Sequence, residues 1–132
     1  SVNAARKTAM LVFALAVVPI VFASRTNNLW VATLLVALAA AAHQGWSANL
    51  FTLASDTFPR HAVGTVVGFG GMAGAVGGIV VARAAGLLFK HYQKLDKVEV
   101  GYAIMFVICG LAYISAWLIM HFLVPKFKKI VI

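Results

Sequence analysis

AHQGWSANLFTLASDTFPR, residues 42–60, decides how this chain is read. It begins inside a long aliphatic run, yet it places His43, Gln44, Trp46, Ser47, Asn49 and Thr52 close together. It then closes on Asp56, Phe58-Pro59 and Arg60. The residue before a proline is biased away from the helical region, so Phe58 ends one helix. Pro59 suits the first turn of the next, where its missing N–H is not needed. The stretch is therefore the end of one apolar helix, a break, and the start of another.

The rest of the composition says what surrounds these helices. Of 132 residues, 63% are hydrophobic and only 11% charged, with a mean hydropathy of +0.97. Soluble domains carry roughly 45–50% apolar and about 25% charged residues. The acids are Asp56, Asp96 and Glu99, and the net charge is +8. In a soluble protein that excess would point to nucleic acid. Here the basic residues sit at the edges of apolar runs, where they act as topology signals. The expected partner is a lipid bilayer, with no nucleic acid. Cys109 stands alone, which excludes an intrachain disulfide and a cysteine metal cluster. The opening Ser1, with neither an initiator Met nor a signal-peptide pattern, reads as the middle of a longer chain.

Residues 8–24, 26–55, 61–82 and 100–125 contain no Asp, Glu, Lys or Arg. A spanning helix needs about 20 predominantly apolar residues. The expectation is an all-α integral membrane protein with four transmembrane helices near 7–24, 29–55, 60–89 and 100–124, joined by short loops. Pro19 is expected to kink the first span, which membrane helices tolerate. Orientation follows Lys and Arg in the loops. Arg6, Lys7, Arg60, Lys126, Lys128 and Lys129 fall on one side; Arg25, Lys90, Lys94 and Lys97 fall on the other, with Arg83 just inside the membrane. Both termini and the Asp56–Arg60 loop are then cytoplasmic.

Polar side chains inside a bilayer face protein or a water-filled cavity and often mark a pathway. His43, Gln44, Trp46, Ser47 and Asn49 are the candidate cavity residues. On a helical wheel they do not make one stripe, so one face can meet neighbouring helices and another a cavity. The alternative for each is an ordinary interhelical hydrogen bond, worth about 0.6 kcal/mol on average. Trp46 lies too deep for an interfacial belt and either lines the cavity or fills the core. His43 has no second ligand at metal spacing, so no metal is expected. By its ordinary titration range it could carry a proton.

GTVVGFGGMAGAVGG, residues 64–78, spaces Gly64 with Gly68, and Gly70 with Gly74 and Gly78, as small-xxx-small pairs. Such faces let another helix backbone approach closely. With neither a preceding strand nor a following Lys-Ser, this is not a phosphate loop. Smooth faces also let helices slide, and the sequence leaves both roles open. Arg83 is expected to snorkel to the interface or to act as an outer gate. Asp56 lies near Arg60, Arg6 and Lys7, a lone carboxylate placed to form an ion-pair latch.

SDTFPRHAVGTVVG, residues 55–68, resembles the loop joining the tenth and eleventh helices of major facilitator transporters. The longer stretch 42–78 is similar to the anion:cation symporters of that superfamily, which include hexuronate and sugar-acid transporters. NAARKTAM, residues 3–10, resembles the start of their ninth helix. The segment 102–129 resembles their last helix and basic tail. The resemblance implies helices nine to twelve of a twelve-helix fold, with both termini cytoplasmic. It implies a secondary transporter that moves a small organic anion with a proton by alternating access. It makes Asp56 with Arg6 and Lys7 similar to the inner salt-bridge cluster, and turns the polar second helix toward the central cavity. The carboxylates and the arginine that the family uses for coupling and binding lie in its other half. In this chain the mid-membrane candidate for the proton is His43.

Two other readings stand beside this one. A complete four-helix protein could dimerise through its Gly-rich helix as a small exporter, a class that needs a membrane-embedded acid absent here. A structural or assembly subunit is the other. No nucleophile–base pair or cofactor motif suggests an enzyme.

Overall fold

The computed structural model describes residues 2–125, and the basic tail with Lys126, Lys128 and Lys129 lies outside them. Helix α1 runs Val2–Val17 and continues as a 3₁₀ turn, Val18–Phe22. Helix α2 is Leu29–Thr57, α3 is Arg60–Lys94 and α4 is Val98–Leu123. The described residues contain no strand, and four helices are long and apolar enough to cross a membrane.

The helix ends have local causes. Pro19 has no N–H for an α-helical bond, and the chain tightens into the 3₁₀ turn there instead of kinking a continuous helix. Asn28 starts α2 by accepting from the backbone N–H of Trp30 at 2.9 Å and of Val31. Phe58 is extended (φ −102°, ψ 150°) and closes α2 through its N–H to Ala54 O. Pro59 shares that extended ψ, so it caps α3 from outside rather than occupying its first turn. Residues 90–94, expected as loop, continue α3, because the run holds no Gly or Pro to stop it. The chain reverses at Asp96, whose φ of 55° is a conformation Asp tolerates better than most residues.

The core lies between α1, α2 and α4. Met10, Ala14 and Val17 form a buried stripe on α1, one helical turn or two apart. Ala39, Ala42 and Trp46 form the matching stripe on α2. Alanines on α2 let α1 approach, and Gly45 takes this further. A Cβ there would lie 2.4 Å from the Phe13 ring, so the ring rests directly on α2 backbone. Gly110 does the same for α4: a Cβ would come within 2.7 Å of Val21 Cγ2 and 3.4 Å of Val18 O.

Helix α3 is different. It packs near its ends, where Phe89 meets Tyr102 with ring centroids 4.7 Å apart and Gly101 faces Phe89 and Tyr92. Every residue from 68 to 84 is exposed. At Gly64, Gly68, Gly70, Gly74 and Gly78 an added Cβ meets nothing within 4 Å. The close packing expected of these glycines has no partner among the described residues.

Candidate functional site

The polar string of α2 is divided by the way α2 packs. Ala39, Ala42 and Trp46 fall within about 60° of one another on the helix and face α1 and α4. Trp46 is buried in a cluster with Met10 and Ala14, backed by Phe13, Tyr113, Ile114, Trp117 and Met120. Of the two roles open to it, this structure places it in the core between helices. His43 and Asn49 flank that stripe on opposite sides. Gln44 lies roughly opposite it and is exposed, and Ser47 is half-buried beside His43.

The hydrogen bonds follow this division. Asn49 Nδ2 donates to Gly45 O at 2.9 Å, back along its own helix. Thr52 donates to Ala48 O, and Ser55 Oγ to Thr52 O at 2.9 Å. Back-bonds of this kind satisfy a polar side chain without a partner helix. His43 instead reaches across: its Nδ1 is hydrogen-bonded to Tyr113 Oη of α4. The Tyr113 ring stands edge-on to His43 at 6.0 Å and to Trp46 at 5.4 Å between centroids. Edge-to-face rings at these separations attract one another and fix the tyrosine's orientation.

At one end of the bundle, Arg6 Nε and Nη2 both donate to Asp56 Oδ2, at 2.8 and 2.6 Å. The Asp56 side chain is 46% exposed and the Arg6 side chain 23%. This is the one ion pair among the described residues. Lys7, expected at the same carboxylate, turns the other way. Its Nζ donates to Val124 O at 2.6 Å and Pro125 O at 2.9 Å, the free carbonyls past the end of α4. One residue on from Arg6, the helical turn points its side chain to the opposite neighbour. Trp117 Nε1 donates to Lys7 O at 2.9 Å and strengthens the same seam. Arg60 is exposed and takes no part in the Asp56 pair, although it is nearer in sequence.

At the opposite end, Ala23, Ala32, Thr33, Val36 and Phe106 line a cleft of about 270 Å³ that is almost wholly apolar. Arg83 is exposed on α3. At 1.5 Å per residue it stands about 34 Å from Arg60 along the axis, so a ~30 Å hydrocarbon slab fits between the two arginines. Its cation can therefore sit at an interface, with Lys90 and Lys94 beyond it. No three His, Cys, Asp or Glu among the described residues gather as a metal site.

Sequence reasoning missed Tyr113, Trp117, Gly45 and Gly110. The signal available for the first two was their position: aromatic residues with polar atoms, one turn apart in a run without charges, need partners for those atoms. No family model, curated protein or solved structure matches this chain.

Proposed function

We propose that this chain is part of a secondary active transporter. It moves a small organic anion, a hexuronate or another sugar acid, together with a proton across a cell (inner) membrane. Both termini lie on the cytoplasmic side, and the remaining helices of a longer transporter complete the bundle. The observation that carries the reading is the Arg6–Asp56 pair. It joins the start of α1 to the end of α2, at the end of the bundle that also carries Lys7 and Arg60. Half-exposed, such a pair is worth about 0–1 kcal/mol, which suits a contact that forms and breaks in each cycle.

Three further features support the reading. Gln44 and Ser47 lie off the face of α2 that packs on α1 and α4, so they are available to a cavity shared with other helices. Residues 68–82 of α3 offer an apolar surface, unoccupied among the described residues, to such helices. The sequence resembles the anion:cation symporters along nearly its whole length. Alternating access then works as rocking of one helical body against another around a mid-membrane site. The Arg6–Asp56 pair closes the cytoplasmic side.

The test is proton-driven uptake of galacturonate and glucuronate by the full-length protein in proteoliposomes, beside Gln44→Ala and Asp56→Asn. The expected result is loss of uptake in the first variant. In the second, accumulation fails while exchange across the membrane persists. Wild-type protein that takes up neither sugar acid would overturn the reading, and uptake unchanged in both variants would remove Gln44 and Asp56 from it. The open glycine face of α3 also favours a second reading, a four-helix protein that dimerises through α3. Gly74→Leu separates the two, since it would abolish a cross-linked dimer there.

A further inference from the structure

On the flank of the α1–α2–α4 core, two titratable side chains of different helices share a hydrogen bond. His43 of α2 and Tyr113 of α4 share a hydrogen bond, and Tyr113 is held edge-on by Trp46 at 5.4 Å. No charged residue occurs within 8–24 on α1, 26–55 on α2 or 100–125 on α4. From α4 the titratable groups nearby are Tyr113 itself and Cys109, one turn earlier; His121, farther along, stacks on Trp117 at 4.8 Å. From α1 the neighbouring side chains are Met10, Phe13 and Ala14, none of them titratable. On α3 the candidates are His61 and Arg83, both exposed. A proton on His43 would therefore be the only formal charge in the middle of the α1–α2–α4 bundle.

We propose that His43 and Tyr113 form a proton-binding site between α2 and α4, in which His43 takes the proton and Tyr113 positions it. The neutral imidazole has one donor and one acceptor, so the Tyr113 hydroxyl can either give or take the shared hydrogen. Imidazolium has two donors, and the hydroxyl must then accept from Nδ1. Proton transfer from a hydronium ion breaks one O–H bond there and makes one N–H bond on His43, releasing water, and a Tyr113 O–H that had been donating to Nδ1 turns outward. A hydrogen bond from a charged donor is roughly twice as strong as a neutral one, so the protonated pair binds α2 to α4 more tightly. The site's role as the coupling group rests on the transporter reading; its capacity to hold a proton does not.

The test uses the full-length protein with ¹⁵N-labelled histidine in lipid nanodiscs, as wild type, H43Q and Y113F. The resonance missing from H43Q belongs to His43, and it is followed for the passage from imidazole to imidazolium over the window of pH in which the protein stays folded. In Y113F that transition moves about one pH unit toward acid, a tenfold weaker proton binding, while the His61, His91 and His121 resonances stay in place. No protonation in that window, or an unmoved transition in Y113F, overturns the site. In proteoliposomes, H43Q should lose the acceleration that an inward proton gradient gives. A normal gradient response in H43Q overturns the coupling role. Wild-type protein that transports no sugar acid would sink the transporter reading, and the resonances would still decide the site.

Discussion

Gly45 and Gly74 are both glycines in apolar helices, and their surroundings are opposite. Gly45 lies under the Phe13 ring with no room for a methyl group; Gly74 faces nothing within 4 Å. The same contrast separates the α1–α2–α4 body from the middle of α3. In the first, small residues stand opposite particular large ones: Gly45 against Phe13, Gly110 against Val21. In the second, small residues follow a repeat that meets no partner among the described residues. A repeat of small residues marks where a helix can be approached, whereas a single glycine opposite an aromatic ring marks where it has been.

Between the two glycines, the larger effect is expected from filling the occupied one. Gly45→Leu forces a branched side chain into the space of the Phe13 ring, and overpacking of a core costs about 1–3 kcal/mol or more. Gly74→Leu should change the stability of the chain in detergent by less than about 0.5 kcal/mol, as for an exposed site. Steric-trap unfolding measures both. Equal losses would break the comparison, since α3 would then be packed where the structure leaves it open. Next comes Trp46→Ala, which opens a cavity among Met10, Ala14 and Tyr113 and is expected to lose about 3 kcal/mol. Phe69→Ala, on the exposed stretch of α3, serves as its control.

This difference also shows what could be read from the sequence. Four apolar runs bounded by charges place four helices, and Phe58-Pro59 places the break between α2 and α3. Charge boundaries describe where a span can lie, not where helical hydrogen bonding stops; α3 therefore runs past Lys90, and α1 starts ahead of Arg6. The polar string was legible as unusual and as spread over two faces, but not as to which face packs, because periodicity gives angles within a helix and not which angle meets a neighbour. Trp46 shows this: its position excluded an interface, and only the packing of α1 and α4 put it in the core. Tyr113 was harder to find. Its partner is 70 residues away in sequence, and no local spacing connects them.

Lys7 and Asp56 bring the comparison to the end of the bundle. Lys7 is 8% exposed and holds two carbonyls past the end of α4. Lys7→Met should therefore destabilise the α1–α4 seam by about 1–3 kcal/mol, since two carbonyls lose hydrogen bonds from a charged donor. The loss should appear in thermal melts and as faster amide exchange in the last turn of α4. An unchanged melt would mean that water serves those carbonyls equally well, and that the clasp is incidental.

The smallest change in stability is expected at Asp56, and it tests the most about mechanism. Asp56→Asn removes the charge that Arg6 meets but keeps an acceptor at nearly the same position, and the group is half in solvent. Exposed pairs are worth about 0–1 kcal/mol, so the melt should barely move. Lys7 and Arg6 are adjacent on α1, and they differ in that one side chain is enclosed and the other is not. An enclosed contact holds α1 to α4 throughout; an open one can let α1 and α2 part at that end and meet again. Double electron–electron resonance between spin labels at Ala5 and Thr57 should then show a broader, longer distance distribution in Asp56→Asn, with the melt unchanged. Restoring the attraction in reversed order, with Arg6→Asp and Asp56→Arg together, should narrow it again. A distribution that stays narrow in Asp56→Asn would mean that the Met10–Trp46 core alone sets the separation of the two helix ends, leaving Arg6 and Asp56 no part in opening.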